Sequence, residues 1–334
     1  MEHSALISGR FRFAGRRIWD RQSIQDSQWQ LALPPPARQE LEALRATLER
    51  HPVQSYREIE PGDYALPHTR EFMTQVVQQE LDHGVGIVVI DKLPIEGMSL
   101  EGARAMYWII SSLLSRPICQ NHAGNMMMDV RDAGATLKAG AAARGSASRE
   151  SLDFHTDGAN TPLPPRYVGL LMLSDAKRGG ESCALSVERA HNWLSEHHPD
   201  ALPRLYQNFS YFRMREHDPA DNPFLSAPFF SLRGEELGVR LGPYQMKSAF
   251  EMGAADLDDE TAAAMNAMDD LFSQQELVAD FSMKPGQMQF LNNRVVAHGR
   301  TEFEDWAEAE RKRHLLRIWL RDEGSTAYNA VLKE

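Results

Sequence analysis

Between Ser99 and Leu114 apolar positions recur every three or four residues, at Ala103, Met106, Trp108, Ile110 and Leu113, which predicts a core-facing helix ended by Arg116-Pro117. Helical spacing also runs through Phe72 to Leu81. It stops at Gly84-Val85-Gly86 and gives way to the apolar run Ile87-Val88-Val89-Ile90, a buried strand. Upstream, Pro34-Pro35-Pro36 reads as a loop feeding a short helix from Ala37 to Leu44. Downstream, strands are predicted at Met126 to Asp132, Val168 to Leu173, Ser182 to Val187, Phe229 to Leu232, Gly238 to Leu241, Gln287 to Leu291 and His314 to Leu320. Further helices are confined to Val187 to Glu196 and Asp258 to Gln275. Many short strands with few long helices make the fold mainly β with flanking helices, a barrel or sandwich.

The Ala-, Gly- and Ser-rich stretch Gly134 to Ser148 holds little to pack and is expected to be a mobile loop over a site, with His217 to Leu225 a second mobile segment. Residues 1–65 read as an N-terminal elaboration and 66–334 as a single domain.

Hydrophobic residues at 42% and charged ones at 25% allow a real core. A net charge of -11 argues against nucleic acid as a partner, since phosphate binding draws on clustered Lys and Arg. Basic residues cluster at Arg10 to Arg21 and Arg311 to Arg321, but the second run alternates with apolar residues, as a strand does. Two cysteines, Cys119 and Cys183, exclude a disulfide framework; a single bridge is open but unneeded at this size, and two reduced thiols are the better reading. Met1 to Asp20 lacks a leader's apolar core, and no stretch reaches the ~18 apolar residues of a membrane span. A cytoplasmic location with no membrane partner is expected, and the oligomeric state stays open, a homodimer included.

The chemistry concentrates in Phe154-His155-Thr156-Asp157 and Val295-Val296-Ala297-His298-Gly299-Arg300. Alternate residues on a strand share a side, so His155 and Asp157 can present an imidazole and a carboxylate to one ion. His298, from a distant strand, completes a face. Two neutral nitrogens and one carboxylate suit Fe(II) and leave positions for a cosubstrate and O2. The spacing alone is weak, because His198-Pro199-Asp200 also fits, although its Pro and the preceding Ser195-Glu196-His197 read as a helix end. Asp157 is followed by the turn-rich stretch Gly158 to Pro165, which would close a strand at a site.

A 2-oxo dicarboxylate bound at that iron needs its far carboxylate held by a cation, and the planar fork of Arg does this better than Lys. In Arg313 to Arg321, alternation puts Arg313, Leu315, Arg317 and Trp319 on one face and Leu316, Ile318 and Leu320 on the other. Arg317 is the candidate anchor. Arg313 lies about 13 Å away at roughly 3.3 Å per residue, so the two cannot serve the same oxygens alike.

His155-Thr156-Asp157, Gly179-Gly180-Glu181-Ser182, His298-Gly299-Arg300-Thr301 and Arg313 to Arg317 occur in the order seen in the taurine dioxygenase and clavaminate synthase-like Fe(II)/2-oxoglutarate dioxygenases, which residues 85–322 resemble. The resemblance implies a double-stranded β-helix, or jelly roll, with His155, Asp157 and His298 on Fe(II). It also implies Arg317 on the distal carboxylate of 2-oxoglutarate, Ser182 as a supporting hydroxyl and Arg313 as an auxiliary arginine. Gln120 and Asn121 resemble polar positions facing the pocket, and Asn121 alone reads equally well as a turn residue. With Asp157 in place a halide has no vacant position, so hydroxylation is implied, with desaturation or ring formation as variants. Asn160, Asn121 and Arg131 point to a small polar or amino-acid-like substrate, oxidised with O2 and release of succinate and CO2. Two rivals remain at this stage: a Zn(II)-dependent hydrolase, because the same donors suit zinc with an open water position, and a non-catalytic small-molecule-binding β-barrel.

Overall fold

The computed structural model describes residues 12–134, 148–234, 236–254 and 257–332. Two sheets face each other. The larger runs Gln30–Leu31, Ile87–Ile90, Met288–Asn292, Tyr167–Ser174, His314–Leu320 and Pro117–Ile118, with Met127–Val130 also on His314–Leu320. The smaller runs Val278–Phe281, Ser182–Ser186, Val296–Arg300 and Leu152–His155. This is the jelly roll that the resemblance implied.

Side-chain alternation decides what each sheet face meets. From the larger sheet Val88, Ile90, Phe290, Leu316, Ile318 and Leu320 point outward into one apolar cluster with the helices Pro35–Arg50 and Leu100–Leu114. Ile87, Val89, Leu291 and Trp319 point inward and meet Ala184, Ala279 and Val296 of the smaller sheet. Leu185 and Ala297, on the smaller sheet's outer face, pack toward Val187–His197 and Asp259–Ser273. His298 therefore points inward, as does Arg317 from the opposite sheet.

Helix starts follow their caps: the side chains of Ser99, Ser186 and Asp258 accept from the backbone N–H groups of Gly102, Arg189 and Thr261. The helix expected to be short begins at Pro35 and runs to Arg50, because proline suits a first turn and Leu41, Leu44 and Leu48 extend one buried face. The strand Phe224–Pro228 pairs with Asn208–Phe212, so the second segment expected to be mobile is the turn of a hairpin. Both strands and the helix Pro243–Glu251 escape the sequence pattern. Of the stretch expected as a mobile loop over the site, residues 135–147 lie outside the described residues.

His191 is fully buried beside Phe13, Tyr206 and Phe230, and burial, with Arg12 adding, pushes its pKa from 6.5 down to about 4. Between those values the unfolded chain binds the extra proton, so stability from this group is fully present above the unfolded value and is lost as pH falls toward the folded one. The loss is about 3 kcal/mol. Urea unfolding midpoints at neutral and mildly acidic pH are expected to differ less in His191→Gln than in the wild type.

Candidate metal centre

The strand Leu152–His155 ends at the first histidine, so Asp157 is not on it and the alternation argument does not apply. What brings the three together is pairing and a clamp. His155 lies directly opposite His298 in antiparallel register, with ring centroids 4.3 Å apart. Beyond the strand, Thr156 N–H donates to the Leu241 carbonyl, and the Asn293 side chain takes Asp157 from both sides. Asn293 Oδ1 accepts from the Asp157 N–H at 2.9 Å, and Nδ2 donates to the Asp157 carbonyl at 2.9 Å and to the Pro165 carbonyl at 3.1 Å. One buried amide thus replaces the strand pairing that has run out.

One donor atom from each of His155, Asp157 and His298 falls within 4.8 Å of the others. His155 Nδ1–H donates to the Asp153 carbonyl at 2.9 Å, which fixes the tautomer and leaves Nε2 a lone pair, 3.6 Å from Asp157 Oδ1. Asp157 is 5% exposed. Burial pushes its pKa up, but Arg317 and the two histidines outweigh this and hold it far below the usual carboxylate range. Arg317 Nη1 donates to Oδ1 at 3.1 Å and Trp319 Nε1 to Oδ2 at 2.7 Å. Burial and the neighbouring His155 push His298 down to about 3, so it is neutral, and its Nδ1 is buried without a hydrogen-bond partner among the described residues. Two imidazoles, a fixed carboxylate and an orphaned nitrogen fit a divalent iron. His198 and Asp200 sit past the end of Val187–His197, away from this centre, and His198 faces Asp270 at 3.4 Å.

Besides Asp157, Arg317 engages Gln120, with Nε donating to Oε1 at 2.9 Å, while Gln120 Nε2 donates to the Arg317 carbonyl at 2.8 Å. Gln120 is therefore a buttress and does not line the pocket. Asn121 accepts from Asn125 N–H at 2.9 Å, the turn alternative, and neither it nor Arg131 lines the pocket. Asn160 does, with Nδ2 donating to Tyr328 Oη at 2.9 Å.

Arg313 is 4% exposed, and its Nη1 is buried with no partner among the described residues. Its guanidinium and that of Arg300 lie 5.1 and 4.7 Å from the Phe303 ring centroid. Burial, then Arg300, pushes Arg313 down to about 10. A buried cation with a free donor and a like charge nearby is a site for an anion. The Gly179-Gly180 turn packs against this arginine, whose Nη2 donates to the Gly180 carbonyl at 3.4 Å. Both glycines have positive φ, and a Cβ on Gly180 would stand 3.0 Å from Arg313 Nε. Ser182 follows, in register opposite Arg300.

Sequence reasoning missed Asn293 and the indole donor of Trp319. The signal for the first was present, two adjacent asparagines between the apolar pairs Phe290-Leu291 and Val295-Val296. Asn293→Ala is expected to weaken iron binding by about 10- to 100-fold, the usual cost of losing a group behind the ligands, while Asn293→Asp, which keeps the acceptor, loses less. Titration of Fe(II) into apo-protein checks this.

A jelly roll with two histidines and a carboxylate between its sheets, one arginine on the facing strand and another just before it, defines the class of Fe(II)- and 2-oxoglutarate-dependent dioxygenases. The chain belongs to the taurine catabolism dioxygenase TauD, TfdA family, whose model matches residues 49–319. It is 27% identical over 327 residues to FR-33289 synthase of Streptomyces rubellomurinus, covering 95% of this chain and 93% of that protein. A taurine hydroxylase-like protein, SAT17 of Stachybotrys chartarum, is 27% identical over 183 residues, 54% of this chain and 45% of that one. Among solved structures, asparagine oxygenase with Fe(II), 2S,3S-3-hydroxyasparagine and succinate shares the fold at TM-score 0.67 and 17% identity, covering 90% of this chain and 94% of that one. The non-heme iron oxygenase OrfP with Fe and alpha-ketoglutaric acid does so at 0.62 and 15%, covering 91% and 100%. No helix among the described residues is long and apolar enough to cross a membrane.

Proposed function

We propose that the protein hydroxylates an unactivated C–H bond of a small, amino-acid-like molecule, with His155, Asp157 and His298 holding Fe(II) and 2-oxoglutarate as cosubstrate. The observation that carries this is the convergence of three oriented donors, in a fold that also buries Arg313 with an unsatisfied N–H among the described residues. When bound, iron and 2-oxoglutarate with O2 supply the oxidant, releasing succinate and CO2.

The protein's own groups do the rest. Asp153 orients His155, Asn293 and Trp319 fix Asp157, and Arg317 neutralises its charge. Because Arg317 is engaged by Asp157 and Gln120, the distal carboxylate falls to Arg313, with Ser182 in support, and Arg317 serves at the metal end. A zinc hydrolase has no use for that buried arginine. Substrate enters a pocket of about 550 Å³ that His155, Asp157, Asn160, Arg317 and Trp319 help to line. The amino-acid-like substrate accords with the similar folds of asparagine oxygenase, solved with 3-hydroxyasparagine, and of OrfP, solved also with L-Arg, and with the polar groups at the metal end.

Without oxygen, Fe(II) and 2-oxoglutarate together are expected to give a weak visible charge-transfer band that is lost in His155→Ala. A wild-type protein that binds iron and cosubstrate without the band would refute the proposal.

A further inference from the structure

The pocket is two-sided. At the metal end it presents Asp157, Asn160 and Arg317; its apolar wall is made by Met214, Met246, Met265, Met268 and Phe272, with Leu241 beside the ligand segment. Met265, Met268 and Phe272 are three and four residues apart on the helix Asp259–Ser273, so they form one stripe. Met265 and Phe272 are only partly buried, which leaves their surface to a ligand. Lys247 and Asp269, which also line the pocket, are exposed. Four thioethers make a wall that is apolar and adaptable in shape. A volume of about 550 Å³ lies well within the roughly 300–1,000 Å³ of sites for drug-sized ligands, more than a free small amino acid fills.

We infer that the substrate is amphipathic: a polar, amino-acid-like head at Arg317 and Asn160, and an apolar extension of several carbons lying on the methionine stripe. This rests on the hydroxylase reading above and deepens it. A free amino acid with a charged side chain would leave the stripe wet and its own charge unpaired; an acyl or aryl extension removes both costs. Binding specificity then resides in Met265, Met268 and Phe272.

The probe is a series of N-acyl-L-alanines, acetyl, butanoyl and hexanoyl, titrated calorimetrically into apo-protein and into the anaerobic Fe(II)–2-oxoglutarate form. Affinity is expected to rise roughly two- to fourfold per added methylene, with a negative heat-capacity change. Met265→Glu is expected to flatten the series and Met265→Leu to keep it. Equal affinities across the series in the wild type would overturn the inference, and that arm needs no variant. A gradient surviving in a folded Met265→Glu protein would overturn it too. A flat series with the visible band present removes only the substrate class; a steep series with no band removes the reaction and leaves the pocket assignment standing.

Discussion

Asp157→Ala is expected to abolish turnover and to cost far more in iron affinity than the 10- to 100-fold of a change behind the ligands. The carboxylate is the only anion among the three ligands, and its two oxygens are fixed by Arg317 and Trp319. Its loss leaves the Arg317 charge and the Trp319 N–H without that partner in a closed space, so apo-protein should lose about 3 kcal/mol, the scale for breaking a buried pair. Thermal melting with and without Fe(II) separates the two effects. The wild type gains RT ln(1 + [L]/Kd), about 2.7 kcal/mol at a hundred times Kd; the variant is expected to gain nothing. A metal-dependent shift that persists in Asp157→Ala would count against the triad.

Arg313→Ala is expected to raise the KM for 2-oxoglutarate about 100-fold, since truncating one partner of a buried charge pair costs roughly 2–5 kcal/mol. Iron affinity should change little. Arg313→Lys keeps the charge but loses the fork, and should recover only part of the loss. Arg317→Ala should show the opposite balance, a marked loss of iron affinity, because Arg317 holds Asp157. If the KM effect follows Arg317 and spares Arg313, the cosubstrate assignment reverses.

Much of this was legible from the chain. The alternation through Arg313 to Trp319 places Leu316 and Ile318 outward and Arg317 inward, and the helices at Leu100–Leu114, Val187–His197 and Asp259–Ser273 follow their apolar spacing and caps. The partner of each inward group was not legible. Nothing local distinguishes an arginine aimed at a ligand carboxylate from one awaiting an anion four residues away, because that depends on which element of the other sheet lies opposite. The hairpin Asn208–Phe212 with Phe224–Pro228 was hidden by the polar residues between its strands, which read as loop. The position of Asp157 was misjudged because strand periodicity carries no information about where a strand stops.

The direct opposition of His155 and His298 makes the metal site a gauge of alignment. Side chains alternate along a strand, so a slip of Val296–Arg300 by one position would turn His298 outward and bring Ala297 or Gly299 in. Insertions or deletions of a single residue between Asn293 and His298 should therefore be silent in secondary-structure content yet extinguish iron binding, whereas length changes in the turn at 217–223 should be tolerated. Iron uptake would then report whether the two strands have zipped in the correct frame.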